Sequence, residues 1–257
     1  SDIFSAGMKN RFERRAYVDL FSGPGRCYEP SSGEFYDGSP LIGLKHAFTD
    51  HIYVDLDPAA VGALRTRVAP WANGRLLTLV EGDCNARIAE VRAALPRYGL
   101  TFAFIDQTNW QIRFDTLATL CANRRVDLLV SFFGQAVKRV AHLEDQPCVD
   151  AFFGTKDWRQ YNGSRGRPTL GSLLACYRDQ LATLGYPKRL AAREITIRNT
   201  KNAPIYLLAF FSKHERGYEF WDKITTEDEK GQLAVQWAAD GSSSARARAG
   251  SMGPAGA

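Results

Sequence analysis

Four carboxylates follow four short apolar runs along this chain: Asp19 after Tyr17-Val18, Asp55 after Tyr53-Val54, Asp83 just after Leu79-Val-Glu81, and Asp106 after Phe104-Ile105. The first leads at once into Phe21-Ser-Gly23-Pro-Gly25. A glycine-bearing turn at a strand end lets backbone approach a ligand where a Cβ would collide, and a carboxylate beside it accepts hydrogen bonds from hydroxyls or amines. Recognition of a nucleotide along one edge of a parallel sheet is the chemistry this spacing suits. Metal and disulfide chemistry fit poorly. Cys27, Cys84, Cys121, Cys148 and Cys176 lie far apart with no CxxC pair, and the four histidines show no ligand spacing, which predicts a reducing cytoplasm and no metal. Cys84, a small uncharged neighbour of Asp83, reads as packing and not as a nucleophile.

These side chains need elements to hold them. Apolar runs predict strands over 15–20, 51–56, 76–81, 101–106 and 127–132, of the kind buried on both faces of a parallel sheet. Helix starts fall between them. Ser39-Pro40 sets a capping hydroxyl before a proline at the first position of a helix over 41–48, and Asp57-Pro58 does the same for 59–68. Asp83 or Asn85 caps 86–95, where Ile88, Val91 and Leu95 share one face. The alternation implies right-handed crossovers and an α/β, Rossmann-like, doubly wound sheet. After a long segment of mixed pattern come a helix over 170–184 and two extended runs, 193–198 and 204–212, joined by a turn short enough only for antiparallel neighbours. The domain reading is a basic segment over 1–14, a single domain over 15–235 with an insertion over 134–169, and a Ser/Ala/Gly/Arg-rich, disordered tail over 236–257. The stretch from Tyr28 to Asp37 lengthens the link between the glycine turn and its helix and reads as a lid.

At 257 residues and 45% hydrophobic, the chain can bury a core unaided. No apolar run nears the roughly 18 residues that span a bilayer, and no secretory signal is visible, so no membrane is expected. The formal charge of +5 is mostly terminal: Lys9, Arg11, Arg14 and Arg15 outweigh Asp2 and Glu13, and Arg246 and Arg248 add two more. One internal stretch stands apart. Lys156, Arg159, Arg165 and Arg167 interleave with Trp158 and Tyr161, a pattern that grips phosphates and stacks a base, or that forms a solvated loop with aromatic anchors.

Several separated motifs carry a resemblance. Asp19-Leu-Phe-Ser-Gly-Pro-Gly-Arg26, Gly38-Ser-Pro-Leu-Ile42, Val54-Asp-Leu-Asp57, Gly82-Asp-Cys-Asn85, Phe152-Phe-Gly-Thr155 with Trp158, and Asn202-Ala-Pro-Ile-Tyr-Leu207 together resemble the bacterial three-Cys-motif partner proteins. That family is class I S-adenosylmethionine-dependent methyltransferase-like, and five parallel strands closed by a C-terminal antiparallel hairpin suit its architecture. The resemblance implies S-adenosyl-L-methionine as cofactor, with Asp19, Gly23 and Gly25 around its amino-acid end. It implies Asp55 on the ribose hydroxyls, Asp83 with the backbone of Cys84 at the adenine, and Ser39 at the ligand carboxylate. At the fourth strand end it implies an acceptor site of Asp106, Asn109 and Trp110, with Trp110 as a stacking face. The family has a proline after that aspartate, where this chain has Gln107. Methyl transfer to a nucleic acid or nucleotide-like acceptor, with Arg159, Arg165 and Arg167 on phosphates, is the leading expectation. A regulatory protein that binds the cofactor and works with a protein partner is the main rival, and an enzyme acting on a small molecule is a third reading.

Overall fold

A computed structural model describes residues 11–30, 32–133, 146–161, 168–188, 193–198, 202 and 204–229. The tail over 236–257, residues 1–10 of the segment over 1–14, much of the insertion over 134–169, and Arg165 and Arg167 lie outside the described residues.

Seven strands form one sheet in the order β5-β4-β1-β6-β7-β9-β8. Their ranges are β1 Arg15–Asp19, β4 Asp50–Asp55, β5 Leu76–Glu81, β6 Leu100–Ile105, β7 Val126–Phe133, β8 Arg193–Arg198 and β9 Pro204–Phe211. The first five are parallel; β9 pairs antiparallel with both β7 and β8. This is the mostly parallel, doubly wound sheet with a closing hairpin that the sequence predicts.

Strand alternation sorts the core into two layers, because successive side chains point to opposite faces. Ala16 and Val18 join Ala103 and Ile105 under four helices: α3 Cys84–Ala94, α4 Phe114–Cys121, α5 Pro147–Phe153 and α6 Leu170–Ala182. Tyr17 and Phe102 face the other way, toward α1 Ser39–Leu44, α2 Pro58–Val68 and α7 Glu215–Glu229. Asp57 and Asp83 cap α2 and α3 as expected, each side chain accepting from the backbone N–H two residues on. The first helix departs from expectation. It ends at Leu44 instead of 48, because the chain turns after Gly43 and buries Phe48 against Tyr17, ring centroids 5.4 Å apart. Gly38, not Ser39, occupies its cap position.

The stretch between the glycine turn and α1 is a two-stranded antiparallel hairpin, β2 Arg26–Glu29 with β3 Glu34–Asp37. Its base is pinned by Gly38 N donating to Gly25 O at 2.8 Å and by Asp37 pairing with Arg26 and Lys45. Its outer part carries Tyr28 and Phe35, both more than half exposed, with ring centroids 5.0 Å apart. Among the described residues no helix is long and apolar enough to cross a membrane, and no group of three or more His, Cys, Asp or Glu could hold a metal ion.

Candidate functional site

Parallel pairing sets the carboxyl ends of β1, β4, β5 and β6 side by side, with Asp19 opposite Tyr53 and Phe104, and Asp55 opposite Glu81. The turn after β1 is held from three directions. Phe21 N donates to Asp19 Oδ1 (3.2 Å), Ser22 N to Val54 O (2.9 Å), and Gly23 N to Asp55 Oδ2 (2.6 Å). The other Asp55 oxygen accepts from Asp57 N at 3.0 Å, so one carboxylate ties the glycine turn to the start of α2.

The two glycines of the turn serve different ends. Both have positive φ, +58° at Gly23 and +81° at Gly25, where an L side chain is strained. A Cβ on Gly25 would stand 2.7 Å from Leu64 Cδ1, so this glycine lets the turn lie against α2. A Cβ on Gly23 would meet nothing within 4 Å. Beside it, Ser22 Oγ is buried and has no hydrogen-bond partner. Open space at Gly23 and an unpartnered buried hydroxyl thus lie side by side at this left-handed turn.

Asp19 is fully buried. Burial pushes its carboxyl up to about 7, against the opposing pull of hydrogen bonds from the Ser39 side chain and Phe21 N–H, and nearby Asp106 adds to the rise. Ser39 therefore does not cap α1; its hydroxyl serves Asp19, and α1 is only six residues long. At the third strand end, Asp83 is exposed and Oδ1 accepts from both Asn85 N and Asn85 Nδ2 at 2.9 Å. Cys84 is buried in the core and its thiol is pushed up to about 12 by burial, which removes it as a nucleophile near neutral pH.

Asn85 has a larger role than the helix cap considered for it. Its Oδ1 accepts from Arg113 N and Thr116 Oγ1, and its Nδ2 donates to Gln111 O. It thereby braces the third strand end against the loop after β6.

That fourth loop is the main correction to the sequence reading. Trp110, expected as an exposed stacking face, is 6% exposed. Its ring packs edge-on against Phe152 at 4.7 Å between centroids, with Phe132 and Phe153 around it. Gln107 is buried too; its Oε1 accepts from Gln111 N and Ile112 N, while Gln107 Nε2 and Trp110 Nε1 have no partner. Asn109 is exposed. Asp106 is half-buried and accepts from Ser131 Oγ at 2.5 Å, and burial raises its pKa. Tyr206 of β9 lies near enough for Asp106 to help raise its hydroxyl to about 12, behind the larger effect of burial. Ser131 and Tyr206 were not singled out as site residues. The available signal was a lone hydroxyl, Ser131, inside the apolar run Leu128-Leu-Val-Ser-Phe-Phe133.

The basic aromatic loop is also revised where it is described. Trp158 is 2% exposed and belongs to the core. Arg159 lies over its ring and pairs with Asp150 at 2.6 Å, so its charge is engaged within the fold.

No family model and no curated protein matches this chain. Solved structures share the fold. A protein of Legionella pneumophila is 12% identical over 90% of this chain and 88% of its own, with a TM-score of 0.54. The O-methyltransferase TomG of Streptomyces achromogenes, solved with S-adenosylmethionine, is 13% identical over 82% of this chain and 78% of its own, at 0.45. Trm1 of Pyrococcus horikoshii, also solved with S-adenosyl-L-methionine, is 13% identical over 82% of this chain, at 0.45, and this chain spans 53% of its length. The likeness to these structures is one of fold.

Proposed function

We propose that the chain binds S-adenosylmethionine along the carboxyl edge of its sheet and transfers the methyl group to a nucleic acid or nucleotide-like acceptor. The observation that carries this reading is the Gly23 N to Asp55 hydrogen bond, which fixes a turn with open space at Gly23 and an unpartnered Ser22 hydroxyl. In this reading Asp55 accepts ribose hydroxyls with the lone pairs its backbone bonds leave over, and Asp83 with the backbone of Cys84 meets the adenine. Asp19 and Ser39 face the amino-acid end. Bound S-adenosylmethionine supplies an activated methyl on a sulfonium. The chain's own work is to align the acceptor and exclude water. Asp106, oriented by Ser131, accepts a hydrogen bond from the acceptor N–H or O–H through Oδ2. The exposed Tyr28–Phe35 pair on the hairpin beside the glycine turn favours an acceptor with an aromatic base. Arg165 and Arg167 remain phosphate contacts in this reading; Arg159 does not.

One observation favours a second reading. Trp110 is buried and the Gln107 carbonyl is used by its own loop, so the fourth strand end offers a sparse clamp for an acceptor. Under that reading the chain resembles a three-Cys-motif partner in role as well as in motif, a cofactor-binding regulator of another protein. Transfer of labelled methyl from S-adenosylmethionine to pooled RNA, DNA and metabolites separates the two. Asp106→Asn is expected to lower turnover about 100-fold, the cost of a misaligned acceptor, with cofactor affinity unchanged. Cofactor binding by the parent without transfer to any pool selects the regulator.

A further inference from the structure

At the opposite edge of the sheet, where the parallel strands begin, lies a cavity of about 370 Å³. Leu100 opens β6 there, Arg125 precedes β7, and Ser212 to His214 link β9 to α7, whose first turn holds Arg216 and Gly217. Five basic residues line it: Arg11, Arg125, Lys213, His214 and Arg216. Arg11, Arg125 and Arg216 are exposed, and among the described residues none of the three forms an ion pair. Arg125 is steadied over the Phe12 ring at 5.3 Å. Lys213 is fixed by donating to Cys121 O and Arg124 O at the end of α4. The lining includes one carboxylate, Asp127, which is 6% exposed and is hydrogen-bonded by Ser212. Burial pushes its carboxyl up to about 7, so near neutral pH it sets only part of a negative charge against the cations.

We propose that this cavity is a phosphate-binding site, distinct from the glycine-turn edge. Three guanidinium groups around one concavity repel each other and raise the local concentration of anions. Their planar forks match paired phosphate oxygens. The first turn of the 15-residue α7 contributes Arg216 and Gly217 to the wall and His214 precedes it; the Arg216 and Gly217 N–H groups donate to His214 Nδ1 and His214 O, so the wall offers side-chain cations and not open backbone donors. Gly217 permits this arrangement, because a Cβ there would collide with the Ser212 side chain. The phosphate belongs to a small phosphate ester or to an RNA backbone, and the two sources are separable.

The test titrates the full chain with pyrophosphate by calorimetry at low salt and with a short fluorescent single-stranded RNA by anisotropy. The double variant Arg125→Ala/Arg216→Ala is expected to weaken binding by about tenfold or more with an unchanged Tm, and Arg125→Lys/Arg216→Lys by less, since lysine keeps the charge but not the fork. Asp55→Ala is expected to leave this binding alone. Pyrophosphate binding that RNA does not displace assigns a small phosphate ester; RNA binding that pyrophosphate displaces assigns the polymer. Absence of binding by either probe to the parent, or undiminished binding by the double alanine variant, overturns the proposal.

Discussion

The loops after β1, β4 and β5 and the loop after β6 share one edge of the sheet, yet they are built in different ways. In the first three, each carboxylate bonds backbone two residues ahead: Phe21 N to Asp19, Asp57 N to Asp55, Asn85 N to Asp83. In the fourth, Gln107 and not the carboxylate takes the local backbone bonds, and distant chain holds Asp106 and Trp110. Trp110 is covered by Phe152 and Phe153, more than 40 positions away in sequence, and Asp106 is oriented by Ser131, 25 positions away. Of the three, Asp55 and Asp83 stay accessible at the edge, while Asp19 is covered as well. A strand end organised by the core can lose its side chains to packing.

The sharpest way to break this comparison is Trp110→Ala. If the ring is core, truncation is expected to cost about 3–5 kcal/mol of stability, in line with large-to-small aromatic substitutions, measured by urea unfolding. Trp110→Phe should recover most of it, because it refills the volume and removes an indole N–H that has no partner. An unchanged unfolding midpoint for Trp110→Ala, with turnover lost, would return the ring to the acceptor and place the fourth loop with the other three.

The same division explains what was legible in sequence. The five parallel strands were predicted within a residue of their observed ends, because apolar runs closed by Asp or Gly report local constraints directly. The carboxylates Asp19, Asp55, Asp83 and Asp106 indeed gather on one edge, since parallel strands bring like ends together. Three side chains are engaged by tertiary partners that the sequence reading did not include. Ser39 had cap chemistry, but the Asp19 carboxyl took its hydroxyl. Trp110 had the chemistry of a stacking face, but α5 buried it. Arg159 reads as a phosphate ligand in sequence, and in the fold Asp150, nine residues upstream, pairs with it. None of these partners lies within the few residues that a local motif samples.

Asp55 tests the locally built half. It holds Gly23 N in the free protein and is proposed to accept ribose hydroxyls in the complex. Asp55→Ala is expected to weaken S-adenosylmethionine binding by about 1.5–3 kcal/mol, the contribution of a hydrogen bond to a charged group. Calorimetry that finds parent-like affinity would detach the ribose from β4 and leave Asp55 as a clamp on the glycine turn alone.

Asp19 gives the smallest and most discriminating effect, because it combines both building styles: a local bond to Phe21 N and full burial by the core. Its carboxyl, raised to about 7 from 3.8, has two consequences of opposite sign. In the free protein the fold favours the neutral acid, so its stabilisation is fully present below the unfolded value near 3.8 and is lost as pH rises through about 7. A ligand ammonium favours the carboxylate, so below that pH binding must drive a proton off Asp19. Affinity is then expected to fall about tenfold, ~1.4 kcal/mol, for each pH unit below 7. Calorimetry in two buffers of different ionisation enthalpy reads the released proton, and urea unfolding across the same range reads the opposing trend. Asp19→Asn is expected to flatten both. If the variant keeps the parent's binding slope, Asp19 only latches Ser39 and Phe21 in place, and the first strand end joins the fourth as one whose carboxylate the core has claimed.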